Sequence, residues 1–189
     1  MSGEPLVATP GQTIGPFFGS ALPYEGSDQL VPLRHPNAVR LTGLVLDGDG
    51  HPVPDAMIEI WQADADGRVE LRPGSVRRDG YTFTGWGRAA TDNTGRYSFT
   101  TVLPGPTSEG KLPFFAMAVF ARGLTNRLFT RAYLSAAPDA IAADPLLGSL
   151  PEDRRKTLIV TEDGNELRFD VRLQGDGETV FLAFPGDTP

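Results

Sequence analysis

The sequence predicts an all-β fold: an antiparallel β-sandwich with an N-terminal arm and short helical insertions. Three observations carry that prediction. Apolar and polar residues alternate at period two over several short segments, the spacing that places every second side chain on one face of a strand. Turn signals separate these segments at regular intervals: Asp47-Gly48-Asp49-Gly50, Asp64-Ala65-Asp66-Gly67, Asp92-Asn93-Thr94-Gly95 and Asp163-Gly164-Asn165. Helical signal is confined to residues 136–150, where Pro138 and Pro145 break it.

In chain order, residues 1–37 read as an arm. Their Pro and Gly content is loop-like, but Ile14, Phe17, Phe18 and Leu22 are too apolar for a linker. The arm packs either on its own domain, or on another subunit, or along a pocket. Residues 38–189 read as the sandwich domain. Strands are expected at 38–45, 56–62, 96–102, 113–121 and 128–134. A hairpin of 157–160 with 166–173 follows, then a last strand at 179–184. Gly85 to Ala90 reads as a glycine-rich connection. Glu152-Asp153-Arg154-Arg155-Lys156 reads as a solvated helix turn or loop.

The central stretch is Pro113-Phe114-Phe115-Ala116-Met117-Ala118-Val119-Phe120-Ala121-Arg122-Gly123. An apolar run bounded by Pro and Gly fits a strand buried on both faces, and it is too short for a membrane span. Phe114 and Ala116 share one face of it. Arg122 falls at the rim. There a guanidinium either holds a carboxylate by parallel hydrogen bonds or makes a surface or interface ion pair. Trp61 is expected in the core, its N–H satisfied by one acceptor.

Composition narrows the chemistry. The chain has 189 residues, a net charge of −7 and no cysteine. The length suits one domain with an added arm. Thiol catalysis, disulfides, Cys-based zinc sites and iron–sulfur clusters are excluded. No basic block suggests nucleic acid. No leader-like segment opens the chain, so the cytoplasm is the expected compartment. His35 and His51 are the only histidines, and each stands beside a proline without a partner at ligand spacing. Gly85-x-Gly87-x-x-Ala90 matches a dinucleotide fingerprint as text but lacks its strand and helix. Asp64-x-Asp66-Gly67 suggests a calcium loop, yet the EF-hand pattern needs acids where Gln62 and Pro73 stand.

Several motifs in order resemble the intradiol ring-cleavage dioxygenases. They are Gln12-Thr13-x-Gly15-Pro16-Phe17, Ile60-Trp61-Gln62-Ala63-Asp64-x-x-Gly67, Gly87-Arg88-x-x-Thr91-x-x-x-Gly95-x-Tyr97-x-Phe99-x-Thr101-Val102-x-Pro104-Gly105 and Arg168-Phe169-Asp170-Val171. The resemblance implies a β-sandwich and, in catalytic members, Fe(III) held by two tyrosines and a His-x-His pair. This sequence departs at each ligand position. Val69 follows Gly67-Arg68, Thr107 follows Pro104-Gly105-Pro106, and the His-x-His falls on Phe114 and Ala116. No metal ligand is therefore expected on this chain. The pattern is similar to the family's iron-free α subunits, which work with an Fe(III)-bearing catalytic β subunit on an aromatic dihydroxy acid such as 3,4-dihydroxybenzoate. By that likeness Arg122, Thr13, Gly15 and Pro16 line the substrate mouth at the subunit interface of a higher αβ hetero-oligomer. Gly43-x-Val45-x-Asp47-Gly48 with Gly95-x-Tyr97-x-Phe99 also resembles transthyretin-like and carboxypeptidase-regulatory sandwiches, which carry no chemistry.

Overall fold

A computed structural model describes residues 18–70 and 78–184. It holds two sheets packed over one core. The first has the order β4-β1-β8-β7, with β9 also on β1; the second has the order β3-β2-β5-β6. The strands are β1 (Val39–Leu46), β2 (Met57–Trp61), β3 (Trp86–Ala90), β4 (Arg96–Thr101), β5 (Phe114–Phe120), β6 (Leu128–Tyr133), β7 (Thr161–Asp163), β8 (Glu166–Arg168) and β9 (Val171–Arg172). Most pairings are antiparallel, but β1 pairs in parallel with β8 and β9. Among the described residues no helix is long and apolar enough to cross a membrane.

Period-two alternation puts Leu41, Val45, Ile58, Ile60, Phe99, Phe115, Met117 and Val119 between the sheets. Gln62 ties one sheet to the other. Its Nε2 donates to the Val102 carbonyl at 2.9 Å, and its Oε1 accepts from the Thr101 hydroxyl at 2.5 Å. Residues just before β1 also bridge both sheets: Arg88 N–H donates to Ser27 O at 2.8 Å, and Leu30 N–H to Thr100 O at 2.8 Å. Leu30 and Val31 are buried there.

Several expectations change. The central strand β5 is not buried on both faces. Phe115, Met117 and Val119 are buried, whereas Phe114, Ala116, Ala118 and Phe120 are half-buried. Gly85 to Ala90 is no mere connection, because Trp86–Ala90 pairs with β2 along its whole length as β3. Pro138 does not break a helix but opens α2 (Pro138–Ala143), where its missing N–H costs nothing. The hairpin is β7 with β8 around Gly164, later than expected. Ile159 makes only an isolated parallel bridge to Tyr133. Residues 179–184 form no strand. Their backbone is divided among Arg172 O, the Thr130 hydroxyl and Phe129 O, so no continuous ladder forms. The charge run is a short helix, α3 (Glu152–Lys156).

Tyr97 fastens β4 to the strand-free turn between β8 and β9. Its hydroxyl donates to the Phe169 carbonyl at 2.5 Å in the core. Burial pushes the phenol well above its ordinary pKa, and the Asp170 carboxylate adds to that shift. A raised folded-state pKa means stability is full below the unfolded value near pH ~10 and is lost as pH climbs toward the folded one. Tyr97→Phe leaves a buried carbonyl without its donor, so denaturant melts at neutral pH should show a loss of about 1–3 kcal/mol. The gap between wild type and variant should narrow above pH ~10; a gap that widens there would contradict the assignment.

Candidate functional site

The outer face of the second sheet carries the site, and strand register builds it. Trp86, Trp61, Ala116 and Arg131 lie side by side across β3, β2, β5 and β6. The next row is Arg88, Glu59, Ala118 and Phe129, and Phe114 faces Tyr133. Two alanines in the middle of a face of large side chains leave a hollow. It measures about 470 Å³.

The four positions that the motif resemblance sets against the family's metal ligands, Val69, Thr107, Phe114 and Ala116, all line this cavity. Two glycines bring the first two to the rim. The turn at Asp64–Arg68 is held by the Asp64 carboxylate, which accepts N–H bonds from Asp66 at 2.9 Å and Arg68 at 2.8 Å. Asp64 O in turn accepts from Gly105 N–H at 2.7 Å. A Cβ on Gly67 would lie 2.0 Å from Pro106 O, and one on Gly105 2.4 Å from Ala65 O. Only glycines allow the two loops this close approach, and so Val69 and Thr107 sit at one mouth.

The donor set at those four positions is an isopropyl group, a phenyl ring, a methyl group and one neutral hydroxyl. Fe(III) is a hard cation that needs phenolate, imidazole or carboxylate donors. These residues do not fit it. Among the described residues no group of three or more His, Cys, Asp or Glu is gathered for any metal. Asp64, in the calcium-loop-like turn, has its Oδ1 taken by two backbone N–H groups.

The polar groups of the face are mostly matched. Arg88 Nε donates to Glu59 Oε1 at 2.9 Å, and its guanidinium lies 5.1 Å from the Trp86 ring centroid. Arg131 lies 4.2 Å over the Phe114 ring and donates to the Tyr133 hydroxyl at 3.1 Å. Tyr133 has a raised pKa, chiefly from burial, opposed by that hydrogen bond. Its ring is covered by Leu147 and Leu158, beside the insertion that carries α2 and α3.

Trp61 is 45% exposed and lines the cavity, which overturns its expected place in the core. The signal was present in β2: Ile58 and Ile60 take the core face, so Trp61 must share the opposite face with Glu59. The roles of Trp86, Arg127, Phe129 and Arg131 were also missed, because no local motif marks residues that meet only through register.

Arg122 does not line this cavity. β5 ends at Phe120, and Arg122 stands in the turn beyond it with its side chain 65% exposed, ion-paired to Asp55. Asp55 is a non-glycine residue at φ 60, and the Gly19 backbone packs so close that a Cβ there would lie 2.7 Å from Asp55 O. Helix α1 (Phe18–Ala21), where the arm enters the described part of the chain, thus abuts the residue that holds Arg122. Thr13, Gly15 and Pro16 lie outside the described residues.

Comparison with known proteins agrees with this geometry. A family model described as Dioxygenase matches residues 15–113. The chain is 38% identical to the protocatechuate 3,4-dioxygenase alpha chain of Burkholderia cepacia, over 94% of this chain and 98% of that one. It is 37% identical to the alpha chain of Pseudomonas putida, over 96% and 98%. Identity to the beta chain of Burkholderia cepacia is 34%, over 83% and 78%. Among solved structures, the dioxygenase domain from Streptomyces sp. SirexAA-E superimposes with a TM-score of 0.58 at 23% identity, over 78% of this chain and 87% of that one. Catechol 1,2-dioxygenase from Acinetobacter sp. ADP1 gives 0.53 at 22% identity, over 80% and 59%. At such identities the solved structures speak for the β-sandwich fold alone. The sequence matches go further: this chain belongs to the intradiol ring-cleavage dioxygenase family.

Proposed function

We propose that the chain is the iron-free α subunit of a protocatechuate 3,4-dioxygenase, working in the cytoplasm with an Fe(III)-bearing β subunit. The observation that carries the proposal is the convergence of Val69, Thr107, Phe114 and Ala116 on one apolar cavity. A chain so furnished offers Fe(III) no donor set, which supports placing the iron on the partner. The paired enzyme would break the ring bond between the two hydroxyl-bearing carbons of 3,4-dihydroxybenzoate. Both atoms of O2 enter the product, 3-carboxy-cis,cis-muconate. O2 is the oxidant, and Fe(III) held by the β subunit would activate the ring for its attack.

This chain's own work is then assembly, charge and shape. Arg122 attracts and orients the substrate carboxylate, by two parallel hydrogen bonds at best. The arm, residues 1–37, is anchored through Ser27, Leu30 and Val31 on the sandwich domain formed by residues 38–189, and its more N-terminal part packs against the partner. Gly15 and Pro16 let the arm backbone approach the ring without a bulky side chain, and Thr13 adds a hydroxyl. Higher αβ hetero-oligomers follow from the same interface.

Co-expression with an intradiol β chain that carries His-x-His and both tyrosines tests the proposal. The expected outcome is a stable copurifying complex that opens the ring, with iron stoichiometric to the β chain and none held by this chain alone. Tightly bound iron on the lone chain, ring opening without a second polypeptide, or failure to copurify would each overturn it.

A further inference from the structure

Independently of the subunit role, we propose that the hollow over Ala116 and Ala118 binds a small aromatic carboxylate without any metal, with Arg131 and Arg127 as its anion-holding groups. The cavity has two kinds of wall. Trp61, Phe114 and Phe129 offer aromatic surface. Against them stand two guanidinium groups that make no ion pair with a carboxylate among the described residues. Arg131 is steadied over the Phe114 ring at 4.2 Å and by the Tyr133 hydroxyl at 3.1 Å, which leaves its other N–H donors for a ligand. Arg127 lies 4.9 Å over Phe129. Among the described residues Glu59 is the one carboxylate lining the hollow, and Arg88 already neutralises it. The local balance is therefore positive, inside a mostly apolar wall.

That combination selects two features in one ligand. A planar ring covers the aromatic surface, and a carboxylate matches a guanidinium fork by two parallel bonds. An aliphatic acid leaves the rings wet, and a neutral aromatic leaves the cations without a counter-charge. The volume of about 470 Å³ suits one small molecule of this kind.

The chain carries its own reporter, because Trp61 and Trp86 are its only tryptophans and both line the cavity. Titration of the full-length chain with benzoate, in the absence of the β subunit, should give a saturable change in tryptophan fluorescence. Arg131→Gln should weaken that response about tenfold or more, as the loss of a charge-assisted pair does. Ala116→Phe fills the hollow and should abolish it. Benzamide, the uncharged isostere, should give no comparable saturation. No saturable response to benzoate, equal binding of benzamide, or an Arg131→Gln curve that overlays wild type would overturn the proposal. Should Ala116→Phe fail to fold, the half-exposed Arg131 variant still decides the matter.

Discussion

Arg122→Ala in the reconstituted αβ enzyme should raise KM for 3,4-dihydroxybenzoate about 10- to 100-fold, the equivalent of one charge-assisted hydrogen-bonded pair. Turnover should change much less, because under the proposed role Arg122 would hold the carboxylate in the ground state and the transition state alike. The value should fall toward the lower end of that range, since the side chain is 65% exposed and its charge is screened by salt. Steady-state kinetics at low and high ionic strength measure both effects. The ion pair with Asp55 supplies a test of opposite sign. In the free chain the Asp55 carboxylate occupies the guanidinium that the substrate would use. Asp55→Asn removes that competitor and should lower KM a few-fold, by the weakness typical of exposed ion pairs. An unchanged KM in Arg122→Ala would remove this residue from the substrate mouth and leave it a surface cation.

Gly43→Ala should leave little or no folded protein. A Cβ on Gly43 would lie 1.8 Å from Phe169 O and 2.8 Å from the Tyr97 hydroxyl, so it would strike the very bond that fastens β4 to the turn before β9. Backbone cannot swing aside there. Phe169 N–H is itself bound to Thr42 O at 2.8 Å, and Gly43 is paired with Tyr97 across β1 and β4. The cost exceeds the ~1–3 kcal/mol of ordinary overpacking, against a total stability of ~5–15 kcal/mol for a domain. Soluble yield and denaturant midpoint measure it. Gly110→Ala is the matched control. It has φ 76 but nothing within 4 Å of its Cβ, so it should lose only the ~1–2 kcal/mol of a left-handed residue. A Gly43→Ala protein as stable as that control would mean the register around Phe169 is wrong.

The two sheets were legible because the pattern that encodes them is local. Leu41, Val45, Ile58 and Ile60 announce their faces within a few residues, and turn residues such as Gly50 and Gly164 mark where strands reverse. β3 was not legible. Gly85 and Gly87 read as loop, and only pairing with β2 and contact with Leu30 make Trp86–Ala90 a strand. The final residues erred in the other direction. Thr179 to Phe184 have strand composition, but their neighbours had already taken the backbone groups a ladder needs.

The loss of metal-binding side chains was settled by residue identity alone: a phenyl ring and a methyl group cannot donate an electron pair wherever they sit. What surrounds that loss was settled only in three dimensions. Trp61, Arg131 and Phe129 come from separate strands and meet because hydrogen-bonded register sets them in adjoining rows. The same holds for Arg122, whose pairing with Asp55 joins the end of β5 to a turn before β2. One-dimensional patterning fixes which face a side chain takes; which neighbours it finds there depends on strand order and stagger, and these are set by the packing of the whole core.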